Sequence, residues 1–333
     1  MNRIIGIGNA LTDIVINIPS DSIIRHFDLP KGSMSLVDSE KQQSIAKYTA
    51  DLPRTLSLGG SAGNTIRAMA RMGANVGFIG KVGKDNTGDF LLQALVNLDI
   101  EPHIFHGNEH SGRCISLVSP DGERTMATHL GVALELSPAE IDPKILKTYD
   151  CLYIEGYLVQ DHSLIEGVVK LAGECGLKVA IDLASFNIVA ENLEFLRRLV
   201  EDHVDILFAN EQEAQAFTGE TNPMNSLEKI SRVCELTVIK VGIKGAYIKY
   251  RGEITHVGIM AAAKRIDTTG AGDFYSAGFL YGMCRGMSMQ QCGTIGAIAA
   301  GKVIEVVGTT LGEEAWNEIF QLIRNVEIQQ DLF

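Results

Sequence analysis

Asp267-Thr268-Thr269-Gly270-Ala271-Gly272-Asp273-Phe274 leads straight into an apolar run through Ala277, Gly278 and Leu280. Small residues just before a helix leave the amide N–H groups of its first turn open to an anion, and the helix dipole favours negative charge there. The stretch therefore reads as a phosphate-sized anion hole at the start of a helix. A carboxylate beside such a hole repels phosphate, but it is well placed to take the proton of an attacking hydroxyl. The plainer alternative for Asp273 is a partner of the helix dipole in a Gly-rich turn.

The chain differs in kind on the two sides of this stretch. Upstream, short β-rich runs at 4–8, 76–80, 151–155, 178–183, 205–209 and 236–241 alternate with helical patterns at 64–72, 86–98, 162–175, 190–201 and 211–217. Continuously apolar strands separated by amphipathic helices imply an α/β fold, a doubly wound, mainly parallel sheet with helices on both faces. Downstream the pattern is almost wholly helical, at 272–285, 289–306 and 312–328, punctuated by Gly286 and Gly308. Two segments break the alternation. Residues 113–127 alternate around Pro120-Asp121-Gly122 and read as an antiparallel hairpin. Residues 14–37, with Pro19, Pro30 and Gly32, have little helical period. The expectation is one domain over residues 1–333, with a small β lid formed by about 14–38 and 101–130.

Composition narrows the function classes. Apolar residues make up 46% of the 333 and charged residues 21%, an ordinary ordered composition. Lys plus Arg total 29 against 41 Asp plus Glu, a net charge of −12 with no compensating basic stretch, which argues against nucleic acid and anionic membrane as partners. A phosphate site in such a protein must use backbone amides, helix N-termini and a metal ion. The six cysteines form no C-x-x-C pair and no metal-ligand spacing. The apolar N-terminus is interrupted by Asp13 and reads as strand, and no run reaches the ~18 apolar residues of a membrane span. A cytoplasmic protein with reduced thiols is expected.

At 267–273 the sequence resembles the pfkB-type, or ribokinase-like, carbohydrate kinases, whose second signature reads D-T-x-G-A-G-D. The family's first signature, G-G-x-x-x-N, appears as Gly59-Gly60-Ser61-Ala62-Gly63-Asn64, leading into a helix that ends at Met72-Gly73. Alone, Gly-Gly would read as a flexible helix-opening turn. Two signatures about 200 residues apart, in the family's order, extend the resemblance over essentially the whole chain. It implies a ribokinase-like fold, with Asp273 as catalytic base and Gly270, Ala271 and Gly272 as anion hole. It also implies that Gly59, Gly60 and Asn64 contact substrate hydroxyls. Asn210-Glu211-Gln212-Glu213 resembles the family's N-x-x-E element, which organises Mg²⁺ and phosphate through water; the same spacing is a helix capping box. Lys240, Gly242 and Gly245 match the strand and turn laid along the nucleotide, with Lys240 where the family usually has Thr. Asp267, Thr269 and Gly308 fall where many members hold a monovalent cation such as K⁺.

For the acceptor, Gly8-Asn9-Ala10-Leu11-Thr12-Asp13 looks like the adenosine kinase branch, which carries G-N-x-L-x-D here, and His26 to Gly32 is similar to that branch too. Asn9 and Asp13 are thereby implied at the ribose, where one carboxylate can accept two hydrogen bonds from a vicinal diol. A solvated strand-end acid is the bland reading of Asp13. Glu155, at another strand end, is a weaker candidate for the same pocket. The expected activity is transfer of the γ-phosphoryl group of ATP, with Mg²⁺, to a primary hydroxyl of adenosine or a related nucleoside. A ribokinase- or fructokinase-like sugar kinase is the alternative. A dinucleotide-binding dehydrogenase would need a third glycine where Leu11 stands, and a non-catalytic nucleoside-binding regulator sits badly with an intact Asp273. Either a monomer or a homodimer paired through an open lid edge fits.

Overall fold

The computed structural model describes residues 1–328. Its strands are β1 (Arg3–Ile7), β2 (Leu11–Asn17), β3 (Met34–Leu36), β4 (Arg54–Gly59), β5 (Asn75–Gly83), β6 (Glu101–Gly107) and β7 (Gly112–Val118). They continue with β8 (Arg124–His129), β9 (Cys151–Glu155), β10 (Lys178–Asp182), β11 (Ile206–Asn210), β12 (Leu236–Lys240), β13 (Ala246–Tyr250) and β14 (Glu253–Val257).

Nine strands form one sheet in the order β14-β13-β12-β11-β10-β9-β1-β5-β6, parallel throughout except for β13 and β14. Alternation along each strand sends side chains to opposite faces. Ile4, Phe78, Tyr153 and Phe208 pack with the C-terminal helices Ala271–Cys284 and Met289–Val303 on one face. Ile5, Ile7, Ile79, Leu152 and Ile154 pack with the helices His162–Glu174 and Leu193–His203 on the other. Both faces are therefore dry, which is why these strands read as unbroken apolar runs.

A second sheet, ordered β3-β8-β7-β2-β4, carries its own small core of Ile16, Ile23, Ile45, Ile115 and Leu117. The β7–β8 hairpin was expected around Pro120-Asp121-Gly122, and its strands pair antiparallel. Two parts of the expected lid differ. Residues 101–107 are the edge strand of the large sheet, pairing parallel with β5, because the short connection that follows the helix Asn86–Asn97 returns the chain beside the strand it just left. Conversely, β4 belongs to the small sheet, antiparallel to β2. The helix Ser39–Tyr48 is unforeseen as well. It is mostly polar, buries Gln42 and Ile45, and is capped by Asp38, which accepts from the Lys41 amide, so it has little apolar period to betray it. The pattern at 190–201 divides at Asn192 into Phe186–Glu191 and Leu193–His203. No helix among the described residues is long and apolar enough to cross a membrane.

The parallel strands deliver polar residues to one edge of the large sheet. Glu155, Asp182, Asn210 and Lys240 are each the last residue of their strands, and Glu155 is in register with Asp182 as Asn210 is with Lys240. The carboxyl edge of an open α/β sheet is where such folds place ligands.

Candidate active site

Between that edge, the small sheet and the start of the helix Ala271–Cys284 lies a cavity of about 1360 Å³. Gly270, Ala271, Gly272 and Asp273 line it, with Asn9, Asp13, Gly60, Asn64, Glu155, Asn210, Glu213, Lys240, Gly242, Gly245 and Thr269. Gly59, Asp267 and Gly308 do not line it. The two Gly-rich motifs, far apart in sequence, thus meet in one place.

Each motif opens a helix through a glycine that no other residue could replace cheaply. Gly270 caps the helix Ala271–Cys284 with φ 75°, where an added Cβ would strike the Thr309 side chain. Gly60 caps the helix Ser61–Arg71 with φ 80°, where a Cβ would strike the Asn9 carbonyl. The two helix starts converge on Asp273. Its Oδ1 accepts from Ser61 Oγ at 2.7 Å and its Oδ2 from Asn64 Nδ2 at 2.9 Å. Burial pushes the Asp273 carboxyl up to about 6; the Ser61 and Asn64 donors oppose that shift, Asp182 adds to it and Lys240 offsets it.

Asn64 is fixed from behind. Its Oδ1 accepts from Arg67 Nη2 at 3.1 Å and from Thr309 Oγ1 at 3.0 Å, and Arg67 also donates to the carbonyls of Leu58 and Thr309. Asn9 is fixed by Glu155, whose Oε1 accepts from the Asn9 amide at 2.9 Å and from Asn9 Nδ2 at 2.7 Å. Glu155 Oε2 takes the Ala62 amide at 2.8 Å. Glu155 is 1% exposed, and burial pushes its carboxyl to about 7 against those three donors. It holds the first Gly-rich turn to β1. Asn9 Oδ1, by contrast, is buried without a partner. Asp13, on β2, is raised to about 6 by burial, against the charges of Arg124 and Arg67 and with help from Asp273.

A second charged group lies close to Gly272. Lys240 Nζ donates to Asp182 Oδ2 at 2.7 Å, and Ser276 Oγ donates to the same oxygen at 3.0 Å. A Cβ on Gly272 would lie 3.2 Å from that ammonium. Burial alone would lower the Lys240 pKa, but Asp182, Glu213 and Asp273 outweigh it and hold the group above its ordinary value. Glu213 and Asn210 form the full capping box of the helix Glu211–Thr218: Asn210 Oδ1 accepts from the Glu213 amide at 2.9 Å, and Glu213 Oε2 accepts from the Asn210 amide at 2.8 Å. Glu213 is 3% exposed, and burial, reinforced by Asp182, raises its carboxyl to about 7. Gly242 and Gly245 shape a tight turn with φ 56° and 90°. Beside it Ile243 is 82% exposed.

Asp267 ties the turn together. Its Oδ1 accepts from the Thr269 amide and Oγ1 at 2.9 and 2.7 Å, and its Oδ2 from the Gly308 amide and Arg124 Nη1, both at 2.8 Å. Burial works to raise its carboxyl, but those donors hold it below its ordinary value.

Sequence reading missed Ser61, Arg67, Arg124, Asp182 and Thr309. Asp182 carried a usable signal, since an acid ending an apolar strand occupies the same position as Glu155. Ser61 lies inside a quoted motif whose pattern leaves it free. For Arg124 and Thr309 no local signal exists, because their partners come from distant loops.

A family description, pfkB family carbohydrate kinase, matches residues 50–316. A probable sugar kinase from Rhizobium etli superposes with a TM-score of 0.86 at 28% identity, covering 98% of this chain and 99% of that one. An adenosine kinase from Sinorhizobium meliloti superposes at 0.85 with 29% identity, covering 96% and 99%. A 5-dehydro-2-deoxygluconokinase from Listeria monocytogenes is 27% identical over 322 residues, 91% of this chain and 98% of its own length. With the family match spanning most of the chain and the fold shared end to end, this protein belongs to the pfkB family of carbohydrate kinases, phosphotransferases that act on a hydroxyl of a sugar or nucleoside.

Proposed function

We propose that this kinase phosphorylates the primary hydroxyl of a nucleoside, adenosine or a close relative, using ATP and Mg²⁺. The observation that carries the acceptor is the apolar surface of the small sheet around Asp13. The small sheet contributes Leu11, Met34, Leu36, Cys114 and Met126 to it, and Leu134 extends it. Met34 and Met126 are register partners on β3 and β8. Such a wall leaves the hydroxyls of a free sugar unpaired, whereas the face of a nucleobase buries against it, and thioethers adapt well to aromatic faces. The Asp13 carboxylate, in register with Cys114 on the same sheet face, and the unpartnered Asn9 Oδ1 are acceptors in the same cavity, suited to ribose hydroxyls. The Sinorhizobium adenosine kinase is a structural relative of the same standing. The second reading, a sugar or sugar-acid kinase, is favoured by the Listeria relative.

In this reading Asp273 is the base. Ser61 and Asn64 hold its two oxygens while it takes the proton of the attacking hydroxyl, and with a pKa of about 6 it is ionised at neutral pH. The first-turn amides of the helix Ala271–Cys284 and the Lys240 ammonium stabilise the charge of the transferred group. Among the described residues no three His, Cys, Asp or Glu side chains are grouped to hold a metal ion. A Mg²⁺ ion brought in on the phosphates would be held by Glu213 and Asn210 through water, as hard oxygen donors suit it. When bound, the ion supplies charge neutralisation on the phosphates.

The test is a comparison of kcat/KM over nucleosides, pentoses, hexoses and sugar acids with ATP, Mg²⁺ and K⁺ present. Adenosine or a related nucleoside is expected to lead. A sugar ahead by more than about tenfold, about 1.4 kcal/mol of transition-state binding, overturns the nucleoside reading and leaves the kinase.

A further inference from the structure

The resemblance places a monovalent cation against Asp267, Thr269 and Gly308, and the donor set at Asp267 does not fit one. A carboxylate offers about four lone-pair positions. At Asp267 all four are taken by N–H or O–H donors, two from Thr269, one from Gly308 and one from Arg124. Its charge is already matched by the Arg124 guanidinium at 2.8 Å, in a pair whose side chains are only 6% and 14% exposed. A second cation in the same place would find no free carboxylate oxygen and would sit beside a buried positive charge with little water to screen it.

Arg124 is itself built in. It is the first residue of β8, and its Nε donates to Ser116 Oγ on the neighbouring β7 at 2.9 Å, with Ser116 fully buried. A Cβ on Gly308 would lie 3.7 Å from Arg124 Nη1, so the guanidinium rests on the backbone of that loop as well. One planar fork thus connects the hairpin of the small sheet to the two loops flanking the anion hole, one running into Gly270 and one carrying Thr309. A diffusible ion could neutralise Asp267 but could not join the sheets. Arginine suits the task because its donors are fixed in a plane and it does not lose its charge.

We infer that Arg124 is the resident cation of this kinase: it occupies the role of the monovalent ion, positions the anion hole through Asp267, and makes phosphoryl transfer independent of K⁺. The inference rests on the family's phosphotransfer and not on the choice of acceptor.

The test compares the purified enzyme in potassium chloride and in tetramethylammonium chloride at equal ionic strength. Three readouts serve: turnover with the best acceptor of the panel, ATP binding by calorimetry, and the thermal midpoint. The last two need no acceptor, so they survive a failure of the nucleoside reading. For the wild type all three are expected to change by less than about twofold, or not at all for the midpoint. Arg124→Met opens the carboxylate. Its turnover is expected to fall about tenfold to a hundredfold through misplacement of the hole, with part of the loss restored by K⁺ or by guanidinium ion, and K⁺ should raise its thermal midpoint. A wild type stimulated severalfold by K⁺, or stabilised by it, overturns the inference. So does an Arg124→Met enzyme that answers to neither ion. The wild-type comparison stands alone should that variant not fold.

Discussion

Ser61 Oγ donates a 2.7 Å hydrogen bond to Asp273 Oδ1 across 212 residues of sequence. The contact joins the starts of two helices with similar glycine turns, to which the proposed function gives different tasks: one shapes the acceptor side, the other the anion hole. It also sets the protonation of the proposed base, because a donor to the ionised carboxylate favours that form.

Ser61→Ala therefore moves the acid limb of the rate profile upward. A hydrogen bond to a charged group contributes about 1.5–3 kcal/mol, which is about one to two pKa units at about 1.4 kcal/mol per unit. Activity should be lost mainly near pH 6 to 7 and largely recovered at pH 8.5. A uniform loss at every pH would mean that Ser61 acts on substrate and not on Asp273.

For Asp273→Asn, kcat should fall by roughly 10² to 10⁴, with ATP affinity little changed. Stability gives a second readout with a definite sign. Folding raises this carboxyl from 3.8 to about 6, so its contribution is largest below about pH 4 and is lost as pH rises through 6. The variant does not titrate there. Its stability relative to wild type should increase between pH 4 and pH 7, by no more than about 3 kcal/mol. A flat difference would show that the carboxyl is not raised.

Lys240 and Asp182 form a pair in which neither partner can be removed alone without cost. Asp182 is 4% exposed, so Lys240→Met leaves a buried carboxylate beside Glu213 and Asp273, a situation that costs about 3–5 kcal/mol. The double variant Lys240→Met, Asp182→Asn should be more stable than Lys240→Met, yet it should keep a raised KM for ATP if the ammonium serves the phosphates. Thermal unfolding and ATP kinetics on the cycle separate the two effects.

The six central strands of the large sheet were legible because they are buried on both faces, so hydrophobicity alone marks 4–8, 151–155 and 178–183, whereas its outer strands β6, β13 and β14 were not. The two helix-opening turns were legible because each is a run of small residues before a helix and each matches a family signature in order. Of the small sheet, the β7–β8 hairpin was legible from its alternation and turn, but the rest was not: its helix Ser39–Tyr48 is polar, and β4 joins it only through pairing with β2, a long-range choice no local pattern records. The positions of Glu155 and Asn64 could be read from sequence, but their partners could not. Both turned out to be held by several donors or acceptors that belong to other elements.

The same blindness hid the apolar surface around Asp13, and that surface supplies the sharpest test of substrate. Met126 is on β8 with its side chain partly buried against the cavity, and Met34 is its partner across β3. Replacing the Met126 thioether by the hydroxymethyl of Ser removes apolar surface from whatever lies against it, at about 25 cal/mol per Å², on the order of 1–2 kcal/mol for this side chain. If the occupant is a nucleobase, Met126→Ser should lower kcat/KM for the nucleoside about tenfold while changing the KM for ATP little. The rate with ribose, which has no base to place there, should be unaffected. If nucleoside and ribose decline together, the side chain supports the small sheet and touches no base. If neither declines, the acceptor does not reach this wall, and the sugar reading gains.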